Sequence, residues 1–99
     1  MKQEVKVAVA QFEAHDGDKQ YNLDTIENLS AQAARRGAQF ILFHELSVTG
    51  YTFLENLSRD EVRGLAETVP GGESVDRLIS IAGKLGMVIS AGVVEQEGE

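Results

Sequence analysis

The 99-residue chain contains no cysteine and no tryptophan, a single proline, and only 6% aromatic residues. Without cysteine there is no disulfide framework, no thiolate metal site and no local thiol nucleophile. Long apolar runs are also missing. No stretch approaches the roughly 18 residues of a membrane span. No signal-type apolar region follows Met1-Lys2-Gln3-Glu4-Val5, so secretion is not expected and the cytoplasm is the default compartment. Positive charge is scarce as well: 9 Lys and Arg stand against 16 Asp and Glu, a formal charge of −7. Nucleic acid and anionic membrane would be repelled by that balance.

What is present suits a soluble α/β domain. The hydrophobic fraction is 42% and the charged fraction 25%, both ordinary for a globular chain. Val5 to Phe12 is a short β-branched and apolar run, which predicts a buried strand. A polar loop with Gly17 follows, and Asp18 is placed to cap a helix over Lys19 to Arg36. Leu23, Ile26, Leu29 or Ser30, Ala33 and Ala34 recur at helical spacing on its apolar face. Arg35 and Arg36 complement the helix dipole, and Gly37 suits the left-handed position after it. Ala38 to Phe43 predicts a second buried strand.

Ser58 and Glu61 form a capping-box pattern ahead of a shorter helix to Glu67, with Val62, Leu65 and Ala66 inward. Pro70-Gly71-Gly72 breaks the chain. Ser74 is expected to cap a third helix with Val75, Leu78, Ile79, Ala82 and Leu85 inward, ended by Gly86. Met87 to Val94 predicts a third strand. The order β-α-β-α-α-β implies an α/β layer with a mainly parallel sheet.

The chemistry centres on Glu45, just past the carboxyl end of the second strand, where open α/β sheets bind ligands. Apolar neighbours Phe43, Leu46 and Val48 would desolvate its carboxylate and make it a better base. A glutamate after a strand is also a common solvated turn residue, so position alone does not assign a role.

The ordered set of motifs is more telling. The chain carries Ala8-Val9-Ala10-Gln11, then Asn22 near a helix start, then Gly37-Ala38 and a hydrophobic strand running into His44-Glu45-Leu46-Ser47-Val48-Thr49-Gly50-Tyr51. Val69-Pro70-Gly71 precedes a helix, and Met87 to Glu95 follows it. This sequence resembles the nitrilase superfamily of carbon–nitrogen hydrolases over essentially its whole length. The resemblance implies that residues 1–99 are the N-terminal segment of an incomplete domain, part of an α-β-β-α sandwich. It implies a Cys–Glu–Lys mechanism with Glu45 as general base, no cofactor and no metal. The substrate would be a small amide, N-carbamoyl compound or nitrile, and the enzyme a homo-oligomer. Tyr51 is a candidate for substrate binding, and Phe53 for a pocket wall, although packing roles fit both equally.

Three departures qualify the match. The family usually has Pro before the glutamate; here His44 keeps the backbone donor that proline lacks. Lys84 lies inside a helix and does not match the family's lysine motif. The nucleophile is absent outright, so this chain alone is expected to be inactive. The family's second sheet is also missing, which would leave Val7, Val9, Phe40, Leu42, Ile89 and Val93 as a bare face and favour self-association. His15 is expected to be exposed. Two other readings compete: a small nucleotide-binding α/β module, and a non-catalytic interaction subunit. The first lacks any phosphate-loop glycine pattern, and Glu73 opposes an anion at Gly71-Gly72.

Overall fold

A computed structural model of the chain describes residues 5–44, 47–49, 58–67 and 72–92. The elements follow the expected order: β1 (Val7–Ala10), α1 (Lys19–Arg35), β2 (Phe40–Phe43), α2 (Arg59–Leu65), α3 (Glu73–Leu85) and β3 (Val88–Ser90). The strands form one parallel sheet in the order β1-β2-β3. Val7 pairs with Phe40, and Phe40 with Val88; Ala8, Ile41 and Ile89 form the next row.

That register decides which side chains share a face, because successive strand residues point to opposite sides. Ala8, Ala10, Ile41, Phe43 and Ile89 face the helices. There they join Ala33 of α1 and Leu85 of α3 in one cluster, while Leu23, Ile26 and Val48 form the centre of a second. The opposite face carries Val7, Val9, Phe40, Leu42 and Val88, all exposed. Ile89 therefore departs from the expected bare face. The parity of its pairing with Ile41 turns it inward and turns Val88 outward. Val93, also expected there, lies outside the described residues.

The helix ends obey local rules. Asp18 accepts the Tyr21 amide at 3.0 Å as the N-cap of α1. At the other end the Ala38 and Gly37 amides return to the Ala33 and Ala34 carbonyls at 3.0 Å, a Schellman turn that needs the positive φ of Gly37. Gly86 ends α3 in the same left-handed conformation. The capping box of α2 is formed in both directions: Glu61 N donates to Ser58 Oγ at 3.2 Å and Ser58 N to Glu61 Oε1 at 3.0 Å. Leu65 and Ala66 are half-buried as expected; the side chain of Val62 is outside what is described.

Helix α3 corrects two expectations. Gly72, not Ser74, occupies its N-cap position, and Ser74 sits within the first turn. The Ser74 amide instead donates to Glu67 Oε1 at 2.6 Å, so a carboxylate from outside the helix does the capping. Ile79 is exposed, whereas Ile81 is buried. The buried side of α3 is therefore offset from the stripe read from spacing, and its polar side chains pair with α1. Arg77 reaches Asp24 and Glu27 on α1, and Lys84 reaches Glu27 at 3.5 Å. The strands are also shorter than expected. Val5 is exposed ahead of β1, Phe12 packs into the core beyond it, and Met87 is buried just before β3.

Candidate active site at the strand ends

The parallel sheet sends β1 and β2 in the same direction, so the loops leaving them lie side by side. From the β1 side comes Phe12. Its ring meets Phe43 edge-on with centroids 6.1 Å apart, and His44 edge-on at 5.0 Å. Nδ1 of His44 is buried and has no hydrogen-bond partner among the described residues. His15 is exposed, as expected, and stacks flat on Tyr21 at 3.4 Å.

Beyond His44 the described chain resumes at Ser47, Val48 and Thr49. This turn is fully buried, at 0% exposure for each residue. A buried turn must find partners for its backbone groups, and this one does. Val48 N donates to the Gly92 carbonyl at 3.2 Å, and Gly17 N donates to the Thr49 carbonyl at 2.8 Å. The Gly92 amide in turn donates to Ser47 Oγ at 3.3 Å. Segments following all three strands thus converge on the turn.

The strongest link comes from Asn22, itself fully buried. Its Nδ2 donates to the Val48 carbonyl at 2.6 Å and to the His15 carbonyl at 2.9 Å, while its Oδ1 accepts from the His15 amide at 2.8 Å. The sequence carries a signal for this role that the motif reading did not use. Asn22 falls four residues before Ile26 on the apolar stripe of α1, and a polar group there needs internal partners.

A second polar connection ties the helices beneath. Glu67, nearly buried, accepts from Lys19 Nζ at 2.7 Å and from the Ser74 amide. Burial pushes its carboxyl up, but the hydrogen bonds and charge of Lys19 together with the Ser74 amide outweigh this and hold it below the usual carboxylate range. Nothing in the local sequence marked Glu67, because Lys19 lies 48 residues away and the Ser74 amide lies across the Pro70-Gly71-Gly72 break.

Of the residues assigned roles from sequence, Glu45 and Tyr51 lie outside the described residues, as does Phe53. In sequence Glu45 falls between the described His44 and Ser47, whereas Tyr51 and Phe53 fall between Thr49 and Ser58. Lys84 is exposed on α3 and pairs with Glu27, away from the strand ends. Among the described residues no cluster of His, Cys, Asp or Glu could hold a metal, and no helix is long and apolar enough to cross a membrane. A cavity of about 270 Å³ lies elsewhere, along the open edge of β1, between Val7, Val9, Leu29, Gln32 and Arg36.

The three-stranded parallel sheet, with helices α1 and α3 on one face and a tied loop cluster at its carboxyl edge, defines an α/β layer. The carbon–nitrogen hydrolase family model matches residues 6–99. A nitrilase from Pyrococcus abyssi is 35% identical over 95 residues, covering 96% of this chain and 35% of that protein. An N-carbamoylputrescine amidase from Solanum lycopersicum is 35% identical over 92 residues, covering 93% of this chain and 30% of that protein. Among solved structures, an amidase from Nesterenkonia sp. superposes with a TM-score of 0.63 at 30% identity, over 86% of this chain and 30% of its own. A further amidase structure, from Nesterenkonia sp. AN1, shows acrylamide added at its active-site cysteine (TM-score 0.65, 28% identity, 87% of this chain and 32% of its own). The chain belongs to the carbon–nitrogen hydrolase family and corresponds to an N-terminal portion of the nitrilase-superfamily fold. It spans about a third of the length of the relatives it matches.

Proposed function

We propose that this chain supplies the general base of a hydrolase acting on small non-peptide C–N bonds, with Glu45 as that base. The observation carrying this is the family match over residues 6–99, supported by the sequence position of Glu45, two residues after the end of a parallel strand. A longer polypeptide would provide the cysteine and the lysine.

In that arrangement Glu45 takes the thiol proton, and the thiolate adds to the amide or nitrile carbon. The lysine stabilises the negative charge that develops on the substrate heteroatom. For an amide, collapse breaks the C–N bond, and the leaving nitrogen receives the proton that Glu45 holds. Glu45 then deprotonates a water, which attacks the thioester and releases the acid and the free thiol. Desolvation by Phe43 and its neighbours would favour proton transfer near neutral pH. Tyr51 is the candidate for holding substrate beside the base. A small-molecule amide or nitrile substrate is supported by the names of the relatives, and the acidic balance disfavours nucleic acid and anionic membrane as partners; a cytoplasmic homo-oligomer completes the proposal.

An ammonia-release assay on small amides and nitriles tests this reading. The 99-residue chain is expected to give no turnover, and a longer polypeptide with the cysteine is expected to give it. Turnover by the chain alone would contradict the assignment of the nucleophile. A second reading, a non-catalytic interaction module, draws on the bare sheet face. A longer polypeptide lacking both a cysteine nucleophile and the family's lysine motif would favour it.

A further inference from the structure

We infer that three segments at the sheet's carboxyl edge open as one cooperative unit, pinned by Asn22. They are His15 to Gly17 in the loop after β1, the turn Ser47 to Thr49, and Gly92 after β3. Surface loops ordinarily open singly and at low free energy, because water replaces their few backbone bonds. These segments are cross-linked instead. Ser47 Oγ and the Val48 amide hold the two backbone groups of Gly92, and the Thr49 carbonyl holds the Gly17 amide. Asn22 closes the set, with His15 on its Oδ1 and Nδ2 and the Val48 carbonyl on the second amide proton.

Burial turns these bonds into a unit. Asn22, Ser47, Val48 and Thr49 have no exposure. A bond broken there leaves a polar group that water does not reach, and the full desolvation penalty falls on it. The turn therefore gains little by releasing one partner and keeping the rest. Packing adds to this. Val48 lies in the core with Leu23, the chain neighbour of Asn22, and Phe12 and Ala91 pack against that cluster from the segments after β1 and β3. Moving Val48 disturbs both. Open α/β sheets bind their ligands at this edge, so the unit sets how that edge opens.

Native-state hydrogen exchange of the full chain, followed by NMR at low urea, tests this. In the wild type the amides of His15, Gly17, Val48 and Gly92 are expected to share one opening free energy and one urea dependence. The amides of Gly37 and Met87, bonded at the opposite edge of the sheet, are expected to differ from them. Ser47→Ala removes only the acceptor of the Gly92 amide. It is expected to speed exchange about 5-fold at all four amides, the effect of one hydrogen bond, and to leave Gly37 and Met87 unchanged. The His15 amide is the decisive probe, because it is bonded to Asn22 and not to Ser47. Acceleration confined to Gly92, or none, overturns the inference. So do scattered opening free energies among the four wild-type amides, or one value shared with Gly37 and Met87, which is global unfolding. If Ser47→Ala does not fold, the wild-type comparison decides by itself.

Discussion

The two faces of the sheet have almost the same amino-acid chemistry and opposite fates. On one, Ile41 is 1% exposed between α1 and α3; on the other, Val9 is 78% exposed. Both are β-branched residues in neighbouring strands of one parallel sheet. Parallel sheets are ordinarily covered on both sides, so hydrophobicity alone does not distinguish them. What separates them is supply: the described helices α1 and α3 both pack on the same side. The burial of Ile41 is a property of this chain, whereas the apolarity of Val9 suits a cover that the described residues do not provide.

Substitutions test that contrast, starting with the largest effect. Ile41→Ala removes a side chain shared with Ala33 and Met87, and is expected to cost about 4 kcal/mol in chemical denaturation. Glu67→Ala comes next. It leaves Lys19 and the Ser74 amide without their carboxylate, and about 3 kcal/mol is expected from breaking such a largely buried pair. Ser58→Ala, which removes the hydroxyl of the α2 capping box, should cost about 1 kcal/mol. Val9→Thr is expected to change stability by less than about 0.5 kcal/mol in the isolated chain. In a longer polypeptide that covers the bare face, the same substitution should become clearly destabilising. An unchanged small effect there would show that Val9 faces solvent in both.

Glu67 also sets a pH dependence. Its folded carboxyl lies below the ordinary value of 4.5, so the unfolded chain binds its proton first. Its contribution to stability is complete above the unfolded value and is lost as pH falls through the lowered folded value. Glu67→Gln should therefore flatten the acid limb of the stability curve. An identical acid limb in wild type and variant would remove Glu67 from this account.

The element order was legible because each element is announced locally. Asp18 and Gly37 bracket α1, and Ser58 with Glu61 opens α2. Faces were less legible. Ile89 was expected outward and lies inward, because its side is set by pairing with Ile41 across sequence, not by the residues beside it. Ile79 was expected inward for its spacing, yet it is exposed and Ile81, two residues on, is buried, because the packed side of a helix is set by its neighbours in space. Long-range polar links were least legible. Glu67 caps a helix that begins after a proline–glycine break, and Ser74 looked like a sufficient local cap. Asn22 was visible as a motif residue near a helix start; its bonds to His15 and Val48 became visible only when two loops met. Glu45 was read from its place after a strand and from the family's ordered motifs, and it lies outside the described residues.

The central claim is that this strand-end segment carries the base of a C–N hydrolase. The most direct test is ammonia release from a small amide by the longer, cysteine-bearing enzyme and by its Glu45→Gln variant, with folding checked by circular dichroism. Replacing a general base is expected to reduce turnover by about 10³-fold, with an unchanged spectrum. A folded Glu45→Gln enzyme that releases ammonia at the wild-type rate would contradict the account.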